Sequence, residues 1–152
     1  MLREMLDPNP SIDEAQLTSF ESFKDLRLPS AYREFLLRNN GGQPVPAAFS
    51  IRGFANNPVG VVQAFFGLNA TIRSEDLMAN ISEFFHYFPK QVLPIACTGC
   101  GDLVCLDLRE DSEKVVFWDS KPSWGNNVWS ERDLYFIAPD FGSFLAALTD
   151  YQ

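Results

Sequence analysis

Three short apolar runs in the second half of the chain constrain its fold more than any other feature. They are Val92–Cys97, Asp102–Leu108 and Val115–Asp119, each bounded by a Gly-rich or charge-rich turn. Runs of this length and composition, separated by such turns, read as an antiparallel meander. Along the middle run, Leu103 and Cys105 face one way while Val104, Leu106 and Leu108 face the other. Upstream, Val59–Phe66 is β-rich and mostly apolar, which predicts a central strand. The stretch 43–58 holds Pro44, Pro46, Pro58 and Asn56-Asn57, and predicts a loop with a short strand near Phe49–Arg52. Leu134–Ile137 reads as a last strand or an extended lead-in.

Helical spacing fills the remaining chain. Ser11-Ile12-Asp13-Glu14 has the form of a capping box with Ser11 as cap, predicting a helix from about Ile12 to Asp25. Its apolar stripe is Ile12, Ala15, Phe20, Phe23 and Leu26, with Leu17 at the edge. Pro29 suits the first turn of a second helix, Tyr32, Phe35, Leu36 and Asn39 follow at helical spacing, and Asn40-Gly41-Gly42 supplies a left-handed stop. A third helix runs through Leu77, Ile81, Phe84, Phe85 and Phe88 and closes at Pro89. Phe141, Phe144, Leu145 and Leu148 build a closing one. Strands and helices together predict an α+β fold. With no repeat, low-complexity tract or linker, residues 1–152 read as one domain.

Composition narrows the function. Hydrophobic residues make up 46% of the chain, with 14 Phe, which is ample for one core. The formal net charge is −8, and 12 Lys and Arg are spread along the sequence. A nucleic-acid binder needs a concentrated basic surface, so nucleic acid and anionic membrane are excluded as expected partners, and a basic macromolecule is favoured. No apolar run approaches the ~20 residues that span a bilayer, and the start lacks the features of a signal peptide. The three cysteines fall between positions 97 and 105 and do not form a secreted disulfide framework. The expected location is cytoplasmic.

Little in the chain announces catalysis. Cys97-Thr98-Gly99-Cys100 has a redox or metal-binding spacing, but strands on both sides put it on a hairpin turn rather than a helix N-terminus. A zinc site needs a second ligand pair, and Cys105 with the distant His86 is a poor one. His86, the single histidine, reads as an ordinary helix-end residue. No nucleophile elbow, nucleotide fingerprint or zinc-protease helix is present. Asp102 and Asp107 read as turn-capping or solvated carboxylates that could instead line a cleft, and Trp118 reads as core filler. The expectation is therefore no catalytic residue, no metal and no cofactor. Trp124 and Trp129 differ from Trp118, because a polar loop, 121–133, carries them. Exposed aromatics beside carboxylates make interface hot spots, so Asp119, Trp124, Trp129 and Glu131 are the candidate partner contacts.

Four of these segments, taken in order, resemble the SUKH superfamily, which includes a fungal cell-wall-synthesis regulator of the Smi/Knr type and bacterial toxin-immunity proteins. The first is Leu28, Pro29, Tyr32, Phe35, Leu36, Asn39 or Asn40, Gly41 and Gly42. The second is Pro94, Ile95 and Ala96 leading to Gly101-Asp102 and the strand through Leu108. The third is Trp118-Asp119, and the fourth is Ile137, Ala138, Phe141, Phe144 and Leu145. The resemblance implies a central antiparallel sheet flanked by helices and a protein-binding role without catalysis. Its bacterial members imply an immunity protein that neutralises a cognate toxin, often a nuclease, so the expected partner is a basic toxin domain. An intracellular regulatory adaptor in signalling or cell-envelope synthesis is the alternative. The chain departs from the family pattern at Cys97 and Cys100, in a turn that more often carries acidic or Gly residues.

Overall fold

The predicted meander is the middle of a six-stranded antiparallel sheet. The computed structural model describes residues 1–54, 58–123 and 129–151. In chain order the elements are β1 (Glu4–Leu6), α1 (Glu14–Lys24), α2 (Ser30–Arg38), β2 (Gln43–Val45), β3 (Ala48–Ser50) and β4 (Val59–Phe65). They continue with α3 (Leu77–Glu83), β5 (Val92–Thr98), β6 (Leu103–Asp107), β7 (Lys114–Trp118), β8 (Leu134–Ala138) and α4 (Phe141–Ala147). Strands β3 to β8 lie side by side in sequence order, and β1 pairs with β2 in a separate two-stranded sheet. The Arg52 N–H donates to the Phe136 carbonyl at 3.2 Å, so the chain after β3 reaches β8 and curls the sheet towards a barrel.

Both faces of the sheet are covered, which explains why β6 and most of β7 are buried at every position. Phe117 contacts Phe49 and Phe54. Trp118, the next residue and hence on the opposite face, packs edge-on against Phe84, Tyr87 and Phe88. On the Phe117 side, Tyr32 and Phe35 of α2 meet Phe141 of α4, and Phe65 and Phe144 complete the layer. Each fully buried Phe contributes roughly 1.5–3 kcal/mol through its burial. These rings, rather than helix propensity, hold the nine-residue α2 and seven-residue α4 in place.

The Asn40-Gly41-Gly42 segment locks α2 to the sheet. Asn40 is 2% exposed; its Nδ2 donates to the Pro10 and Leu68 carbonyls, and its Oδ1 accepts from the Leu68 N–H at 2.9 Å. Gly41 has φ +79°, and a Cβ there would lie 2.7 Å from the Phe65 carbonyl oxygen. A side chain is excluded by space as well as by backbone conformation. The pair therefore serves close approach of two backbones, while α2 itself ends at Asn39 in an extended conformation.

Three expectations are corrected. The cap of α1 is Asp13, not Ser11: its carboxylate accepts from the Gln16 N–H at 2.8 Å, and Gln16 reaches back to the Asp13 N–H. With that shift the buried stripe runs through Leu17 and Phe20, while Phe23 is 75% exposed. The third helix stops at Glu83, well before Pro89, because the chain turns at Phe84 to drive Phe84 and Phe88 onto Trp118. Strands β1 and β2 were not predicted.

Candidate partner-binding surface

Trp129 and Glu131 are brought together by a residue the sequence did not single out. Arg109 follows β6 and holds Asp107 with two parallel bonds, Nε to Oδ1 at 2.9 Å and Nη2 to Oδ2 at 2.8 Å. The other edge of the same guanidinium holds Glu131, with Nη1 and Nη2 at 2.9 and 3.0 Å from its two oxygens. Its cation also lies 5.9 Å from the Trp129 ring, and Trp129 stands edge-on to Phe88 at 5.5 Å. Burial pushes the Asp107 carboxyl up, but the hydrogen bonds and charge of Arg109, with Lys114 beyond, outweigh it and hold the carboxyl below its usual range. Donating hydrogen bonds to the Asp107 and Glu131 carboxylates raises the Arg109 guanidinium in turn. The result is a clasp fixing a half-buried Trp and an exposed carboxylate to a rigid strand end.

A second carboxylate assembly sits at the opposite end of β6. The register pairs Cys97 with Leu103, Leu103 with Trp118, and Trp118 with Leu134. One step further, Thr98, Asp102, Asp119 and Asp133 form one cross-strand row. It is tied by Thr98 N–H to Asp102 O at 3.1 Å and Asp119 N–H to Asp133 O at 2.9 Å. Asp102 accepts from the Ser120 N–H at 2.9 Å and hydroxyl at 2.7 Å, and faces Lys121 Nζ at 3.3 Å. Asp119 accepts from the Lys121 N–H at 3.2 Å and lies 3.9 Å from Lys121 Nζ. Asp133 is 7% exposed, and among the described residues its carboxylate makes no hydrogen bond or ion pair. Burial raises its pKa, and the nearby Asp119 adds to the rise.

The four candidate contacts thus fall in different settings. Glu131 is exposed, Trp129 half-buried and Asp119 buried (7% exposed), so Asp119 presents its charge rather than its surface. Trp124 lies outside the described residues. What the sequence reading missed is Arg109 and Asp133: the first is recognisable only through a partner 22 residues away, the second only through strand register. The exposed rings Phe23 and Phe85 were also missed as a pair; Lys24 Nζ lies 5.5 and 5.9 Å from their centroids.

The cysteines are three free thiols in three settings: Cys105 buried, Cys97 half-buried with its thiol donating towards the Ala64 carbonyl, and Cys100 exposed on the turn. Burial pushes the Cys97 thiol up, away from the thiolate a redox or metal site uses. Among the described residues no group of three or more His, Cys, Asp or Glu is placed to hold a metal ion. Among them, too, no helix is long and apolar enough to cross a membrane.

Comparison with known proteins adds a family and a fold. The model of the SMI1 / KNR4 family (SUKH-1) matches residues 11–147. A relative in Bacillus subtilis (strain 168), the SPbeta prophage-derived uncharacterized protein YokK, is 26% identical over 157 residues, spanning 93% of this chain and 77% of its own length. A crystal structure of a protein from Pseudomonas syringae pv. tomato superposes with a TM-score of 0.50 at 20% identity, over 78% of this chain and 75% of that one. This last likeness is one of fold.

Proposed function

The chain belongs to the SMI1 / KNR4 family (SUKH-1), and we propose that it is a non-catalytic immunity-type protein that binds and neutralises a basic toxin domain. The observation that carries this reading is the family match across residues 11–147. The prophage origin in the name of the Bacillus relative fits this reading. The net charge of −8 supports a basic partner, because complementary potentials speed encounter and suppress wrong partners. The contacts proposed are Trp129 and Glu131, held by Arg109, with Asp119 contributing charge from below the surface and Trp124 from the same loop. An aromatic anchor with a carboxylate beside it, both fixed on a strand end, loses little entropy on binding.

The test is capture of the toxin domains encoded beside the gene, with tagged protein at about 50 and 500 mM salt. Binding of one such domain, weakened at the higher salt, is the expected outcome. Failure to bind any of them ends the immunity reading, and a salt-insensitive regulatory partner would replace it with the adaptor.

A further inference from the structure

Among the described residues, the carboxylate row at the end of β6, β7 and β8 is one cation short, and the shortage is local. Asp102, Asp119 and Asp133 are all at least nine-tenths buried, yet among the described residues one ammonium, Lys121, serves the row. Lys121 stands at the Asp102 and Asp119 end, and Ser120 completes the hydrogen bonding of Asp102 there. At the other end Asp133 faces Asp119 across the ladder with no partner for its carboxylate among the described residues. Like charges directly opposite one another across an antiparallel pair are destabilising. The Asp133 oxygens still touch solvent, since the buried side-chain polar atoms without a partner among the described residues are the Tyr32 hydroxyl and the Trp118 Nε1, so an incoming cation can reach them. Asp133 is also the last residue before β8, the outermost strand, beside the exposed Glu131 and Arg132.

We propose that Asp133, with Asp119 beside it, is the receptor for one arginine or lysine side chain of the protein partner. This inference rests on the basic-partner reading above and names the chemistry of its central contact. A guanidinium entering beside Asp133 would relieve the Asp119–Asp133 opposition and complete the row, much as Arg109 completes the Asp107 clasp at the other end of β6. It would desolvate there, where a charge pair is stronger than on an open surface. Glu131 at the rim would steer the cation in.

The test uses the full chain labelled with carboxyl-13C aspartate and titrated with a hexa-arginine peptide at low salt. The Asp133 and Asp119 carboxyl resonances should move most, ahead of those of exposed Asp25 and Asp111, and saturate with the binding isotherm. Asp133→Asn should weaken the peptide about tenfold, while Glu110→Gln changes it less than about twofold. If the peptide binds and the Asp133 resonance stays still, this inference is wrong and the basic-partner reading stands. If the peptide does not bind at all, the basic-partner reading fails with it. A response of Asp133 to magnesium or calcium chloride at lower concentration than to the peptide would make the row a metal site and overturn the proposal. The resonance arm needs no variant, so the test survives a failure of Asp133→Asn to fold.

Discussion

Asp107 and Asp133 sit at opposite ends of the same three strands, both buried, and meet opposite fates. Asp107 is 1% exposed and receives a bidentate guanidinium, a backbone N–H and a lysine ammonium at 3.6 Å. Asp133 is 7% exposed and receives a like charge across the ladder. One carboxyl is held below its usual range and the other above it. Burial is common to both, so burial does not decide the sign; the neighbour does. The Asp107 end is finished within the chain and behaves as scaffold. At the Asp133 end the described residues supply no partner for the carboxylate, and a group kept in an unfavourable state in the free protein is where binding energy can be gained.

Removing the cation from the finished end should have the largest effect. Arg109→Ala leaves Asp107 buried with only the residue-109 backbone N–H and the Lys114 ammonium, and takes Arg109 away from Glu131 and Trp129. A fully buried pair broken on one side costs ~3–5 kcal/mol. The Arg109 side chain is 29% exposed and Lys114 remains, so about 2–3 kcal/mol is expected here. Urea unfolding measures it, with Trp fluorescence reporting release of Trp129. A loss below about 0.5 kcal/mol would show that the clasp is ornamental and that the two ends do not differ.

At the open end the sign should reverse. Asp133→Asn keeps the shape, removes the charge opposite Asp119, and should stabilise the free protein by about 0.5–1 kcal/mol. A destabilised variant would mean that Asp133 already has a stabilising neighbour and that the row is complete. Acid titration sharpens the same contrast. The folded pKa of Asp133 is raised, so its contribution is fully present below the unfolded aspartate value of about 3.9 and is lost as pH rises through the higher folded value. The advantage of Asp133→Asn should therefore grow as pH climbs from about 4 and then level off. The folded pKa of Asp107 is depressed, so its contribution is present above about 3.9 and lost as pH falls through the lower folded value. The penalty of Asp107→Asn should shrink below about pH 4. Urea midpoints from pH 3 to 7 read both curves, and parallel curves would erase the distinction.

The finished parts of the molecule were legible in the sequence and the open part was not. Apolar runs bounded by turns located β5, β6 and β7 to within about two residues, because a strand buried on both faces has no freedom to be polar. The short β1 and β2 carry Glu4 and Pro44 and have no such pattern; their pairing is fixed by where α2 and the glycine pair deliver the chain. The expected α1 stripe holds at Ile12 and Phe20 but is off at Phe23, which is exposed while Leu17 is fully buried, because Phe23 fits a helical face as well as Leu17 does and only packing chooses between them. Of the candidate contacts, Trp129 and Glu131 share a loop and were found by proximity in sequence. Their organiser, Arg109, lies across the sheet. Asp102, Asp119 and Asp133 become one row only after three strand registers are set, so no local pattern marks them.

Glu131 separates the two ends most finely, because it belongs to the clasp by contact and to the open end by position. Its side chain is 64% exposed, and Arg109 keeps both bonds to Asp107 without it. Glu131→Gln should therefore change stability by no more than about 0.5 kcal/mol, the range of exposed ion pairs. Its effect should fall on encounter instead: a slower association with a basic partner at low salt, and a dissociation rate changed less than about twofold, as rim charges behave. Stopped-flow association at two salt concentrations measures this. If Glu131→Gln instead costs more than about 1.5 kcal/mol of stability, Glu131 is part of the buried network. The clasp would then extend to the rim, and the boundary between finished and open ends would move from Glu131 to Asp133.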